Sequence, residues 1–141
     1  MNQPARVTDL LPHAIAARDR AHAPYSGFHV GAAVLADGLI FTGANIENST
    51  LGLTNCAERT AVFKAISEGA RTITAVAVVA DTVDPIAPCG ACRQVLAEFC
   101  PPDTPVLMAN LQGETRISTI SKLLPGSFWH PSNQPPADPS Q

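Results

Sequence analysis

The segment Thr72 to Ala80 constrains the fold of this chain more than any other. Ile73, Ala75, Val76, Ala77, Val78, Val79 and Ala80 make it almost unbroken in apolar residues, without the alternation of a strand that has one wet face. Such a strand is buried on both sides, in a sheet covered by helices above and below. The flanking sequence supplies the cover. From Thr8 to Ala23, Leu10, Leu11, Ile15 and Ala16 recur on a helical period that Pro24 ends. From Cys56 onward, Ala57, Ala61, Val62, Ala65 and Ile66 form a second apolar helical face, closed by Gly69. A third helix carries Val95, Leu96 and Phe99 and is stopped by Pro101-Pro102.

Shorter strands complete the pattern. His29–Ala36 and Leu39–Thr42 flank Asp37-Gly38 and read as a β-hairpin. Pro105–Ala109 and Arg116–Ser118 are two further strands, with Gln112-Gly113 as the turn between them, and Thr119 caps a short helix that runs to Leu124. The order predicts an α/β fold, a mixed sheet with helices on both faces. Residues 1–130 read as one domain. Residues 131–141, rich in proline and without apolar periodicity, read as a disordered tail.

Net charge and composition narrow the partners. With a formal charge of -3 and nine scattered Lys and Arg, the chain shows no basic patch for nucleic acid. No apolar run is long enough to span a bilayer, and no leader pattern opens the sequence, so a cytoplasmic protein is expected. Only 15% of residues are charged, against about 25% in an average domain, which hints at surface hidden between copies of the chain. Four cysteines in a reducing compartment point to metal binding or catalysis rather than disulfides.

Two motifs carry the chemistry. One is Asn55-Cys56-Ala57-Glu58-Arg59, and the other is Pro88-Cys89-Gly90-Ala91-Cys92-Arg93. The Cys89/Cys92 spacing suits one zinc ion, and on its own it equally suits a structural zinc site or a dithiol redox centre. Both motifs open helices, so two helix N-termini can converge and offer three thiolates to one Zn2+. Catalytic zinc keeps three protein ligands and leaves a position for water, whereas a structural site is closed by four. Glu58, two residues after Cys56, lies within reach of such a water without being a ligand. This is the established zinc-deaminase signature in its all-cysteine form. Three thiolates leave the ion with net negative charge, and helix N-termini offset it. Arg59 and Arg93 each follow a site residue and are placed to draw charge from the sulfurs, unless they are simply exposed. Cys100 reads as a buried free thiol; as a fourth ligand it would close the site. His13, His22, His29 and His130 lie away from both motifs and are not expected to be ligands.

The chain resembles the small, homotetrameric cytidine deaminases from about Leu10 to Phe128. The likeness is carried by Pro24-Tyr25-Ser26 with Phe28 and Val30-Gly31-Ala32, by Asn45-Ile46-Glu47-Asn48, and by Cys56-Ala57-Glu58-Arg59-Thr60-Ala61. It continues in Pro88-Cys89-Gly90-Ala91-Cys92-Arg93-Gln94-Val95 and in Leu123-Leu124-Pro125 followed by Phe128. The resemblance implies a three-layer α-β-α fold around a mixed sheet of about five strands. It implies hydrolysis of cytidine and 2′-deoxycytidine to the uridine products and ammonia, as in pyrimidine salvage. Cys56, Cys89 and Cys92 would ligate zinc, and Glu58 would move the protons. Asn45 and Glu47 would bind the ribose hydroxyls, Phe28 would pack on the pyrimidine, and the Ala57 N–H would meet the base carbonyl. Phe128 would reach into a neighbouring subunit's site, making a homotetramer part of the active unit. Leu51 departs from the family, in which many members carry a tyrosine just before the first ligand. A deaminase of another aminopyrimidine nucleoside, a structural zinc module and a thiol redox protein are the competing readings.

Overall fold

The computed structural model describes residues 6–133. Five strands form one sheet: β1 (Val30–Ala36), β2 (Leu39–Ala44), β3 (Ile73–Ala80), β4 (Pro105–Asn110) and β5 (Thr115–Thr119). Their order across the sheet is β2-β1-β3-β4-β5. The β3–β4 pair is parallel and the other three are antiparallel, so the sheet is mixed as expected. Four helices accompany it: α1 (Leu11–Arg18), α2 (Ala57–Ser67), α3 (Gly90–Phe99) and the single turn α4 (Ile120–Leu123).

The sheet divides the core in two. On one face Leu10 and Ala14 of the first helical segment pack on Ala33, Leu35, Ala75, Ala77, Val79, Leu107 and Ala109. On the other, Ala61, Val62 and Ala65 of α2 and Leu96 and Ala97 of α3 pack on Val34, Val76, Val78 and Val106. From Ala75 to Ala80, odd and even residues of β3 thus serve opposite cores, which is why this stretch has no polar face. Small residues let the helices come close. A Cβ at Gly31 would lie 1.9 Å from the Ala14 carbonyl of α1, and one at Gly43 would lie 2.4 Å from the Ala61 nitrogen of α2.

Several boundaries differ from the sequence reading, each for a visible reason. The expected helix over Thr8–Ala23 is a 3-10 turn, Val7–Leu10, running into α1, which ends at Arg18. Beyond Arg18 the chain is claimed by tertiary pairing: the His22 N–H donates to the Asn45 carbonyl at 2.9 Å, and the Glu47 N–H to the His22 carbonyl at 2.8 Å. β2 extends past Thr42 because Gly43 and Ala44 pair with Ala32 and Gly31. The α2 terminus is a Schellman motif around Gly69 (φ +105°), with Gly69 N–H to Ile66 O and Ala70 N–H to Ala65 O, both 3.0 Å. Thr119 caps α4 as predicted, accepting from the Lys122 N–H at 3.3 Å. Pro131–Asn133 forms a 3-10 turn, and the rest of the proposed tail, 134–141, lies outside the described residues. Among the described residues no helix is long and apolar enough to cross a membrane.

Candidate functional site

Cys56 and Cys89 are the N-cap residues of α2 and α3. Residue N3 of a helix faces back toward its own N-cap, the geometry that capping boxes exploit. In α3 this position is Cys92, whose sulfur stands 3.3 Å from that of Cys89. In α2 it is Arg59, whose Nη2 donates to the Cys56 sulfur at 3.2 Å. The two helix starts meet with the Cys56 and Cys89 sulfurs 3.8 Å apart. All three sulfurs lie within 4.8 Å of one another.

This donor set fits zinc. Thiolates about 2.3 Å from a tetrahedral ion stand about 3.8 Å from each other, close to the spacings found. Each thiolate is also met by the positive end of a helix dipole. Cys100 is not part of the cluster; it is buried in the core beside Leu96 and Ala97, so a fourth thiolate does not close the site. The metal-ligating cluster found among the described residues contains no histidine.

Protons in the cluster are unevenly held. Hydrogen bonding from the Cys92 thiol, with help from Arg59 and against the cost of burial, pulls Cys56 down to about 5. The same bond, together with burial, pushes Cys92 up. Cys56 therefore becomes a thiolate before Cys92, and Arg59 is its counter-charge. Arg59 Nε is buried without a hydrogen-bond partner, while its Nη2 meets the Cys56 sulfur. Glu58, 4% exposed, is raised to about 7, first by burial and then by the charge of Cys56. A carboxyl group held near neutrality beside a metal cluster suits proton transfer.

Arg93 does not play the part that its position suggested. Its Nε donates to the Pro88 carbonyl and its Nη1 to the Leu123 carbonyl, both at 2.8 Å, and not to a sulfur. As the fourth residue of α3 it is one step beyond the N3 position and points elsewhere.

A second group gathers around Phe28. The Asn45 side chain, almost wholly buried, accepts from the Val30 N–H at 2.8 Å and donates to the Phe28 carbonyl at 2.7 Å. Glu47 Oε1 accepts from the Tyr25 and Ser26 N–H groups at 3.0 and 3.1 Å, and Oε2 accepts from the Ser26 hydroxyl. The Ser26 hydroxyl, ahead of two backbone donors, holds the Glu47 carboxyl below its usual range. Phe28 itself is 41% exposed, an aromatic ring standing out of a braced loop rather than in the core. Each of Asn45 and Glu47 keeps hydrogen-bonding capacity beyond these contacts.

The segment between the two groups is itself braced. Ile46 and Asn55 exchange backbone hydrogen bonds at 2.9 and 2.8 Å. The Asn55 amide donates to the Thr60 hydroxyl at 3.0 Å, and that hydroxyl reaches the Cys56 carbonyl at 3.2 Å. Leu51 is exposed on a 3-10 turn in this loop, while the Tyr25 hydroxyl meets Ser49 Oγ at 2.5 Å. The Ala57 N–H, first in α2, has no intrahelical acceptor. Phe128 is exposed beyond α4, its carbonyl accepting from Gln94 Nε2 at 3.1 Å. Ser26, Thr60 and Gln94 escaped the sequence reading as site residues. Each lies inside a quoted motif, but periodicity says nothing about side-chain bonds that cross between elements.

Fold and thiol cluster define the class first: a three-layer α/β protein built around a zinc centre. Residues 5–108 match the cytidine and deoxycytidylate deaminase zinc-binding region, and the chain belongs to that family. It is 62% identical over 120 residues to a cytidine deaminase of Halalkalibacterium halodurans, covering 84% of this chain and 91% of that one. It is 57% identical over 123 residues to a cytidine deaminase of Sporosarcina psychrophila, covering 86% and 90%. A crystal structure of cytidine deaminase from Burkholderia pseudomallei is 49% identical and superposes with a TM-score of 0.84, covering 88% of this chain and all of that one. The protein is thus an enzyme, a zinc-dependent deaminase that hydrolyses a carbon–nitrogen bond, and its cofactor is Zn2+.

Proposed function

We propose that the protein hydrolyses cytidine and 2′-deoxycytidine to uridine and 2′-deoxyuridine plus ammonia, in pyrimidine salvage. One observation carries the reading: three thiol sulfurs at zinc spacing with a buried carboxyl group in the first turn of α2, two residues after Cys56. The names and high identities of the relatives support the substrate. In this reading Cys56, Cys89 and Cys92 hold the ion. Zinc held there supplies Lewis acidity that brings the pKa of a water toward neutrality.

The chain's own residues do the rest. Glu58 takes the proton from the attacking water and delivers it to N3 of the base, which makes C4 electrophilic. The water oxygen adds to C4. The Glu58 carboxylate takes the second proton from the new C4 hydroxyl and passes it to the amine. The C4–N bond then breaks to release ammonia and form the product carbonyl, so one residue serves as base and acid in turn. Arg59 offsets the charge of Cys56. The Ala57 N–H meets the base carbonyl at the positive end of α2. Phe28 packs on the pyrimidine, and Asn45 and Glu47 receive the sugar hydroxyls, for which a braced carboxylate is suited and a phosphate group is not. Phe128 completes a neighbouring subunit's site in a homotetramer. Residues 1–130 form the catalytic domain and 131–141 a tail outside it. Four free thiols fit a reducing cytoplasm.

A spectrophotometric cytidine-deamination assay on wild type and Glu58→Gln, with zinc measured in both, tests the proposal. Both should hold zinc, and the variant should lose at least about 10²- to 10⁴-fold in rate, the contribution of a general acid-base group. Equal rates would refute the role of Glu58, and preference for cytidine monophosphate over cytidine would refute the assignment of the sugar loop.

A further inference from the structure

Arg93 and Gln94 are adjacent on α3 and both point away from the sulfurs, toward main-chain carbonyls of other segments. Arg93 bridges Pro88, the fully buried residue just before Cys89, and Leu123, the last residue of α4. Its planar fork presents several N–H groups at fixed angles, so it can hold two carbonyls from different segments at once. Gln94 then reaches the Phe128 carbonyl, five residues past Leu123. Residues 124–130 form neither helix nor strand. From the helix that begins at Cys89, one of two consecutive side chains thus holds the Phe128 carbonyl and the other holds Leu123, at the base of that segment.

We propose that Arg93 and Gln94 are positioning residues that tie the segment bearing Phe128 to the loop that delivers Cys89. The metal loop and an aromatic wall of a substrate site are then held as one piece. The inference rests on the reading of Phe128 as a substrate contact made under the proposed function. Neither side chain touches the reacting atoms, so the effect belongs on substrate binding rather than on the chemical step.

The test uses the zinc-loaded full chain as wild type, Gln94→Ala and Arg93→Lys. The single tryptophan, Trp129, is half-buried next to Phe128 and reports on the segment by its emission. Gln94 is half-buried on the helix surface, so its truncation leaves the core intact. Gln94→Ala should retain zinc, keep kcat within about twofold and raise KM roughly three- to tenfold, the worth of one net hydrogen bond. Its Trp129 emission should move to the red and become more open to acrylamide quenching. Arg93→Lys, which can hold only one of the two carbonyls, should change both readouts in the same direction. A wild-type KM or a wild-type Trp129 emission in Gln94→Ala overturns the proposal. Should the wild type fail to deaminate cytidine, the proposed function falls separately, and the Trp129 emission of Gln94→Ala alone decides whether the tie exists.

Discussion

Cys100 shows how differently four free thiols are used within one small chain. Three sit at helix N-termini, and the fourth is sealed among Leu96, Ala97 and their neighbours. Burial pushes the Cys100 thiol from its ordinary value of 9.0 up to about 12. Because the folded value lies above the unfolded one, the associated stability is complete below pH 9 and is lost as pH rises toward 12. The loss approaches about 4 kcal/mol at most, from 1.36 kcal/mol per unit. Cys100→Val keeps the apolar contact without the titration, so its unfolding free energy should fall less steeply than that of wild type over this range. Denaturant melts at several alkaline pH values will read the difference, and parallel curves would exclude Cys100 as the cause. The variant should also retain its zinc. At this scale the convergence of Cys56, Cys89 and Cys92 with a buried Glu58 was legible in the sequence because metal chemistry needs particular residues at particular spacings. The two arginines were not distinguishable by adjacency alone. Arg59 falls three residues after its N-cap cysteine and faces it, whereas Arg93 falls four after its own and bonds carbonyls instead.

Two glycines on neighbouring strands decide where the helices can sit. Gly31 admits α1 on one face of the sheet, and Gly43 admits α2 on the other, where a Cβ would also come within 2.7 Å of the Ala57 carbonyl. Alanine at either position forces a shift against helix backbone, and overpacking of this kind costs about 1–3 kcal/mol. The consequences should differ. Gly43→Ala displaces the first turn of α2, with Cys56 and Glu58, and should lose zinc as well as stability. Gly31→Ala should destabilise to a similar degree while keeping zinc, since α1 carries no ligand. Thermal melts paired with zinc analysis separate the cases; equal zinc retention in both would contradict the proposed dependence of the centre on α2 placement. The strands and helices themselves were readable from periodicity and turn residues. What periodicity missed were the ends set by partners: α1 stops early because His22 is drawn to the loop at Asn45 and Glu47, and β2 runs on through a glycine because that glycine is a packing site, not a break.

Across the whole molecule the three-cysteine cluster is placed so that a metal held there would act as a cross-link. Cys56 and Cys89 lie 33 residues apart in sequence, and between them the chain completes α2, crosses the sheet as β3 and returns through the loop to α3. Zinc bound by both therefore fastens two helix starts that otherwise meet through side-chain packing and, without the ion, would bring three thiols and a buried carboxyl group together with no full compensation. A ligand that binds only the folded state stabilises it by about 4 kcal/mol when present at a thousand times its dissociation constant. For a chain of this size that corresponds to a melting temperature higher by roughly 10 °C. Stripping zinc with a strong chelator should lower the midpoint by an amount of that order and abolish deamination, and restoring zinc should recover both. The same treatment of Cys56→Ala, already deprived of one ligand, should move the midpoint far less. If chelation lowers wild type and Cys56→Ala equally, the ion is not held between α2 and α3, and the site lies elsewhere.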